Sequence, residues 1–443
     1  MPRTIQHPAR LVPLAFIVTI LFGTGLLMLP ISRADPGGAP FVTALFTSTS
    51  AVCVTGLAVQ DTATYWSGFG QGIILLLSQI GGLGIMTGAT LLALLVTRQL
   101  RLSNRLVAQA ETRSLALGNV ASLVRLIFLV TISVEMAAAA ILTLRLRYAY
   151  QEPWDQALWN GFFHAVSAFN NAGFSTYSDG MMRFVADPVV IITVTVAVVV
   201  GGLGFPVLYE LRRKLIYPAG WSIHTKITLL GTAVLLLGGF IATLMFEWSN
   251  PETLGALDLN GKLLASVFHS AMTRSGGLNS VDVGKMELET LAVSYVLMLI
   301  GGGSASTAGG IRVTTFLVLG LVVLAEIRGE PDATAFRRRI SSEVQRQALS
   351  VVLLAVGLVA VATLLLVILT DFGLHEVLFE AISACATVGL STGITPKLSP
   401  TAQLVLVISM FAGRVGTVTI ATAFALRTRK RPYRYPEERP IVG

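Results

Sequence analysis

Charge is scarce in this chain: only 13% of its 443 residues are Asp, Glu, Lys or Arg, about half the share of an ordinary soluble domain. Cysteine is scarcer still. Cys53 and Cys385 stand far apart with no CxxC or Cys/His spacing, which leaves neither a disulfide framework nor a zinc site. HExxH does not occur, so an intramembrane metalloenzyme lacks its metal motif. The absence of GxxxxGK[ST] likewise removes a phosphate-binding loop.

Apolar residues fill the space that charge vacates. They make up 53% of the chain, mean hydropathy is +0.73, and uncharged stretches reach the roughly 20 residues a bilayer-crossing helix needs. A soluble enzyme is excluded, and an all-α membrane protein is expected. The first such stretch, Leu11 to Ser32, follows a basic start like that of a signal peptide but lacks a small-residue cleavage site. It reads as a transmembrane helix.

The formal net charge of +8 would suggest nucleic acid in a soluble protein, but here the charges alternate by loop. One set of loops holds 21 Lys and Arg, among them Arg98 to Arg113, Arg212 to Lys226, Arg328 to Arg346 and Arg427 to Arg439; the other set holds 7. The positive-inside rule places the basic set and both termini in the cytoplasm, so a cell-membrane protein is expected and no nucleic-acid partner. The outer loops carry 15 acids against those 7 bases. That excess orients the chain, and it also concentrates cations at any outer mouth.

Four segments align: SAVCVTGL (Ser50 to Leu57), SAFNNAGF (Ser167 to Phe174), AMTRSGGL (Ala271 to Leu278) and SACATVGL (Ser383 to Leu390). Each has a small residue six positions before a glycine and Leu or Phe directly after it. About one helix length later comes a second marker: GGLG at Gly81, GGLG at Gly201, GGGS at Gly301 and AGRVG at Ala412. Two markers in one order four times predict repeats over 1–97, 98–214, 215–329 and 330–443, the last with a cytoplasmic tail. Each repeat reads as helix, pore loop, helix. The expectation is eight transmembrane spans and four re-entrant pore loops around one central pore.

Irregular backbone at membrane depth survives only when buried in protein or lining water. A short helix ahead of each loop aims its C-terminal dipole end, about half a negative charge, at the centre. Glycine permits backbone geometry that turns carbonyl oxygens toward the axis, and rings of carbonyls replace a cation's hydration shell. None of the four segments contains a carboxylate, which argues against a calcium-type acidic ring.

These loops, with GGGSASTAGGIRVTT (Gly301 to Thr315), FAGRVGTVT (Phe411 to Thr419) and the tail YRYPEERPIVG (Tyr433 to Gly443), resemble the Trk/Ktr/HKT superfamily of potassium transporters over essentially the whole chain. The likeness is strongest to the membrane subunit of Ktr systems. It implies a selectivity filter at Gly56, Gly173, Gly277 and Gly389, flanked by Val54, Thr55, Asn171, Ala172, Ser275, Gly276, Thr387 and Val388, with K+ as the transported ion. Sodium-favouring relatives carry serine in place of the first glycine; here Gly56 is intact. Two departures stand out: Gly276-Gly277 where Ala-Gly is usual, and Ser304-Ala305 where proline and glycine are common.

The stretch Gly301, Gly302, Gly303, Ser304, Ala305, Ser306, Thr307, Ala308, Gly309 and Gly310 is too rich in glycine for a continuous helix. A break is expected there; the resemblance makes it an intramembrane gate, and a simple packing kink is the other reading. Arg414 follows sixteen uncharged residues. A guanidinium at membrane depth costs at least about 2.5–3.5 kcal/mol on insertion scales, so it faces water or a partner. Glu135, the one acid midway along a span, is a candidate partner; the family points instead to an electrostatic barrier in the pore. His164 and His269 sit at different offsets from their glycines and read as locally satisfied. Arg274 reads as a brace behind the third loop.

The chain shows no nucleotide-binding fold of its own. The resemblance therefore implies regulation by a cytosolic nucleotide-binding ring docked on the basic loops, and a homodimer to which the tail contributes. A sodium-coupled or less selective monovalent cation transporter of the same fold is the alternative, and the sequence leaves sodium dependence open. A transporter for an organic solute would more typically show ten or more spans, inverted repeats and intramembrane acids.

Overall fold

The computed structural model describes residues 8–99 and 120–425. The first expected unit is built as a long helix, a short helix, a loop and a second long helix: α1 (Pro8–Leu27), α2 (Phe41–Val52) and α3 (Gly68–Gln99). The order recurs in α4 (Val120–Ala149), α5 (Trp154–Phe169) and α6 (Pro188–Leu203), which continues after a break as α7 (Phe205–Lys214). It recurs again in α8 (Ile223–Glu247), α9 (Leu259–Met272) and α10 (Leu288–Leu299), followed by α11 (Val313–Ile327). Last come α12 (Ser342–Leu369), α13 (Leu374–Cys385) and α14 (Pro400–Ala425). A two-stranded hairpin, β1 (Thr334–Ala335) with β2 (Arg338–Arg339), joins α11 to α12. The tail Tyr433 to Gly443 and the basic loop around Arg101 to Arg113 lie outside the described residues.

Short and long helices have opposite surroundings. The C-terminal halves of α2, α5, α9 and α13 are mostly buried, and that of α2 is lined with small hydroxyls, Thr47 to Ser50. By contrast α12 exposes Leu349, Leu353, Leu354, Val356, Val361 and Leu364. Apolar surface of that extent marks contact with lipid rather than water. Among the described residues, Arg125–Ala149, Ile223–Glu247 and Ser342–Leu369 are long and apolar enough to cross a membrane, and α6 with α7 adds a fourth if taken as one bent span.

Local chemistry starts each short helix. Pro40 and Pro153 precede α2 and α5, Asp258 caps α9 by accepting from Gly261 N at 2.9 Å, and Glu376 Oε2 accepts from Gly373 N at 3.0 Å ahead of α13. Such contacts satisfy first-turn donors that have no partner within the helix. The units then close into a cycle: α3 packs on α5, α6 on α9, α10 on α13, and α14 on α2. The helix after each unit's loop thereby supports its neighbour's short one.

Two breaks interrupt this scheme. Between α10 and α11, Gly301 to Arg312 is not helical, where the glycine content predicts a break. The second, a 99° bend between α6 and α7, is not expected from the sequence reading. Gly204 takes φ +91° there, and Pro206 follows in the first turn of α7. A proline has no N–H for the helix behind it, which makes the turn a natural stopping place.

Candidate functional site

Three of the short helices end alike. Val54 N bonds Ala51 O at 3.0 Å and Thr55 N bonds Ser50 O at 2.8 Å; Asn171 and Ala172 repeat the pattern on Ala168 and Ser167, and Thr387 and Val388 repeat it on Ala384 and Ser383. This is a Schellman closure, which normally places glycine or asparagine in the left-handed region. Here Val54, Asn171 and Thr387 occupy that position at φ +55°, +59° and +48°, and Ser275 follows at +75°. Two of them are β-branched, a combination that costs energy and clusters at functional sites.

Two residues on, Gly56, Gly173, Gly277 and Gly389 are also left-handed, at φ +95°, +74°, +72° and +96°. The serine six positions upstream secures the turn: Ser50 Oγ accepts from Gly56 N and Ser383 Oγ from Gly389 N, both at 3.1 Å. Ser167 Oγ donates to Phe174 O at 2.8 Å instead. The third loop has Ala271 there and closes on Met272 O. Gly276 is packed as well as unusual, since a Cβ on it would lie 2.5 Å from Met272 Sδ.

The four glycines meet. A Cβ on Gly56 would sit 2.7 Å from Ala172 O and 2.8 Å from Gly173 Cα; on Gly173, 3.0 Å from Gly277 Cα; on Gly277, 2.8 Å from Val388 O. On Gly389 it would fall on Thr55 O, which closes the cycle. Carbonyl oxygens of Thr55, Ala172 and Val388 therefore stand between neighbouring loops, where a desolvated cation would find oxygen ligands.

The segment Gly301 to Gly310 lies against three of these loops. Thr307 Oγ1 donates to Asn171 Oδ1 at 2.9 Å and Gly309 N donates to Ser275 Oγ at 2.9 Å, a Cβ on Gly309 would fall on the Thr387 side chain, and Ser275 Oγ links the third loop to the fourth by donating to Thr387 O at 2.7 Å. Three arginines hold its carbonyls. Arg274 Nη2 reaches Gly301 O at 2.9 Å, Arg312 Nη1 reaches Ala308 O at 2.5 Å and Ser306 Oγ at 3.3 Å, and Arg414 bonds Thr307 O and, at 3.3 Å, Thr387 Oγ1. Glu135 is elsewhere, accepting from Gln79 and Asn170. The histidines are satisfied locally: His164 contacts Asn160 O at 2.7 Å and Ser175 Oγ at 3.0 Å, and His269 contacts Ser294 Oγ at 3.1 Å.

The sequence reading missed Arg312 as part of this cluster. Its signal was available: a lone charge at the restart of an apolar helix, directly after Gly309-Gly310-Ile311. The departure at Ala305 also has a visible consequence, since this residue takes φ +57°, a conformation glycine adopts freely.

The family model for the cation transport protein TrkH matches residues 3–431. This chain belongs to the TrkH family of cation transport proteins. Within that family it is 40% identical to the Ktr system potassium uptake protein B of Bacillus subtilis, over 98% of this chain and 97% of the relative. It is 34% identical to the potassium/sodium uptake protein NtpJ of Enterococcus hirae, over 98% and 97%. The crystal structure of the potassium transporter TrkH from Vibrio parahaemolyticus superposes with a TM-score of 0.68 at 18% identity, covering 94% of this chain and 85% of that one. As a TrkH-family member the chain is an integral membrane protein that moves cations, and not an enzyme.

Proposed function

We propose that this chain is the ion-conducting membrane subunit of a potassium uptake system, passing K+ through the junction of its four glycine loops. One observation carries the reading: four left-handed glycines packed in a cycle, with carbonyl oxygens between them. In this reading the residue triplets ending at Gly56, Gly173, Gly277 and Gly389 form the filter. The shorter apolar helices beside the three long spans complete eight crossings, with α2, α5, α9 and α13 as the re-entrant elements of repeats 1–97, 98–214, 215–329 and 330–443. The relatives named as potassium uptake proteins support K+ as cargo.

Gly301 to Gly310 is the gate, because it rests on three of the four loops and its carbonyls are held by arginines rather than by helix bonds. The basic loops and termini face the cytoplasm of a cell membrane. There they dock a nucleotide-binding ring, and the protein works as a homodimer. A second reading, sodium-dependent or mixed potassium and sodium transport, is favoured by the relative named for both ions.

Rubidium uptake into proteoliposomes tests this directly, measured with and without sodium and with and without the cytosolic partner. Uptake should be displaced by K+ at far lower concentration than by Na+; no uptake above empty liposomes would overturn the assignment, and an absolute need for sodium would select the second reading. Removing Ser304 to Thr307 should raise flux severalfold and weaken its dependence on the partner. A folded deletion as partner-dependent as the parent would take the gate away from this segment.

A further inference from the structure

Glu135 lies midway along α4, buried to 5% exposure. Its Oε1 accepts from Asn170 Nδ2 at 3.0 Å and its Oε2 from Gln79 Nε2 at 3.3 Å. Among the described residues no ion pair includes it. Asn170 is the C-cap of α5 and immediately precedes left-handed Asn171 of the second loop. The fit is tight on the far side too, since a Cβ on Gly82 would collide with the Asn170 side chain.

A carboxylate in this place is costly twice over. It is desolvated without a cationic partner, and it stands at the C-terminal, negative end of a helix. Asn170 Nδ2 also donates to Val166 O at 2.9 Å and to Gln79 Oε1 at 2.5 Å, so neutral partners hold this side chain beside the carboxylate. Holding the loop therefore does not require the charge. Adding negative potential behind the second loop does.

We propose that Glu135 is a positioning residue for the second loop, one that holds it through Asn170 and whose negative charge raises the affinity of the path for its cation. The inference rests on the filter assignment above. A unit charge about 12 Å from a cation, in an effective dielectric near 20, changes binding by about tenfold.

The test is rubidium uptake by E135Q, E135D and the double variant Q79E/E135Q, which moves the charge to the other side of the same network, with Gly56→Ser measured alongside. In E135Q the half-saturating rubidium concentration should rise about tenfold with maximal rate within twofold of the parent, whereas E135D and the double variant should keep the parental value. E135Q at parental half-saturation, or with a lower maximal rate and unchanged half-saturation, would overturn the proposal. Should E135Q not fold, the double variant decides alone: parental affinity supports the charge and a tenfold loss refutes it. If Gly56→Ser leaves ion competition unchanged the filter assignment itself has failed; if it alters competition while E135Q does not, only the role of Glu135 has.

Discussion

Replacing Gly56 with serine will collapse discrimination between potassium and sodium by at least about tenfold, the largest selectivity change expected of any single substitution here. Two costs act together. At φ +95° an L side chain loses roughly 1–2 kcal/mol against the handedness of the backbone. The new Cβ would also stand 2.7 Å from Ala172 O and 2.8 Å from Gly173 Cα, both backbone atoms that cannot swing aside like a side chain. The junction between the first and second loops must spread, and the Ala172 carbonyl leaves its place. Each 1.4 kcal/mol of differential cation binding is a factor of ten, so loss of one well-placed oxygen is enough. Sodium and potassium competition against rubidium uptake reads the effect. Unchanged competition in a folded variant would remove Gly56 from the filter.

How much of this was legible before any coordinates? The four glycines were, because each sits in a segment repeated with the same upstream small residue, and a repeat exposes what one copy hides. Its physical reason is now visible at Ser50 and Ser383, whose hydroxyls hold the glycine N–H groups. The interruption at Gly301 to Gly310 was legible too, from helix propensity alone. The bend at Gly204 was not. The same GGLG continues α3 at Gly81 to Gly84 and ends α6 at Gly201 to Gly204; the difference is Pro206, two residues past the repeated motif. Left-handed Val54 and Thr387 also ran against expectation, since β-branched residues avoid that region unless tertiary contacts overrule local preference.

Arg414 shows the limit from the other side. Sequence flagged the charge by its isolation and offered Glu135 as one partner. The bonds to Thr307 and Thr387 join positions 107 and 27 residues away, and no local pattern announces a guanidinium held by a backbone carbonyl. Glu135 in turn meets Gln79 and Asn170 across 56 and 35 residues. Periodicity finds elements and repeats find loops, but pairing between polar groups in a packed interior is set by the whole fold.

Arg414→Ala will speed potassium flux by about an order of magnitude while leaving ion preference nearly unchanged. Its charge, about 10 Å from a permeating cation with an effective dielectric near 20, adds roughly 1.7 kcal/mol to the crossing, which barrier arithmetic turns into a little over tenfold. Alanine also frees the Thr307 carbonyl that Arg414 holds, so the proposed gate loses one of its three arginine partners. That loss works in the same direction, and lysine separates the two effects. Lysine keeps the charge as a compact ammonium but cannot reproduce the planar two-pronged contact to Thr307 and Thr387. If charge makes the barrier, Arg414→Lys retains most of it and Arg414→Gln behaves like alanine; if the clamp makes it, lysine and glutamine are both fast. The proposed filter should change little, because Gly56 N and Gly389 N are held by Ser50 and Ser383 and Arg414 reaches the fourth triplet only through the Thr387 hydroxyl. Single-turnover rubidium efflux from proteoliposomes, with sodium competition run in parallel, measures both quantities. Parental flux in the folded alanine variant would show that Arg414 neither repels the ion nor holds the gate, and a failure of all three variants to fold would make it a buried structural group.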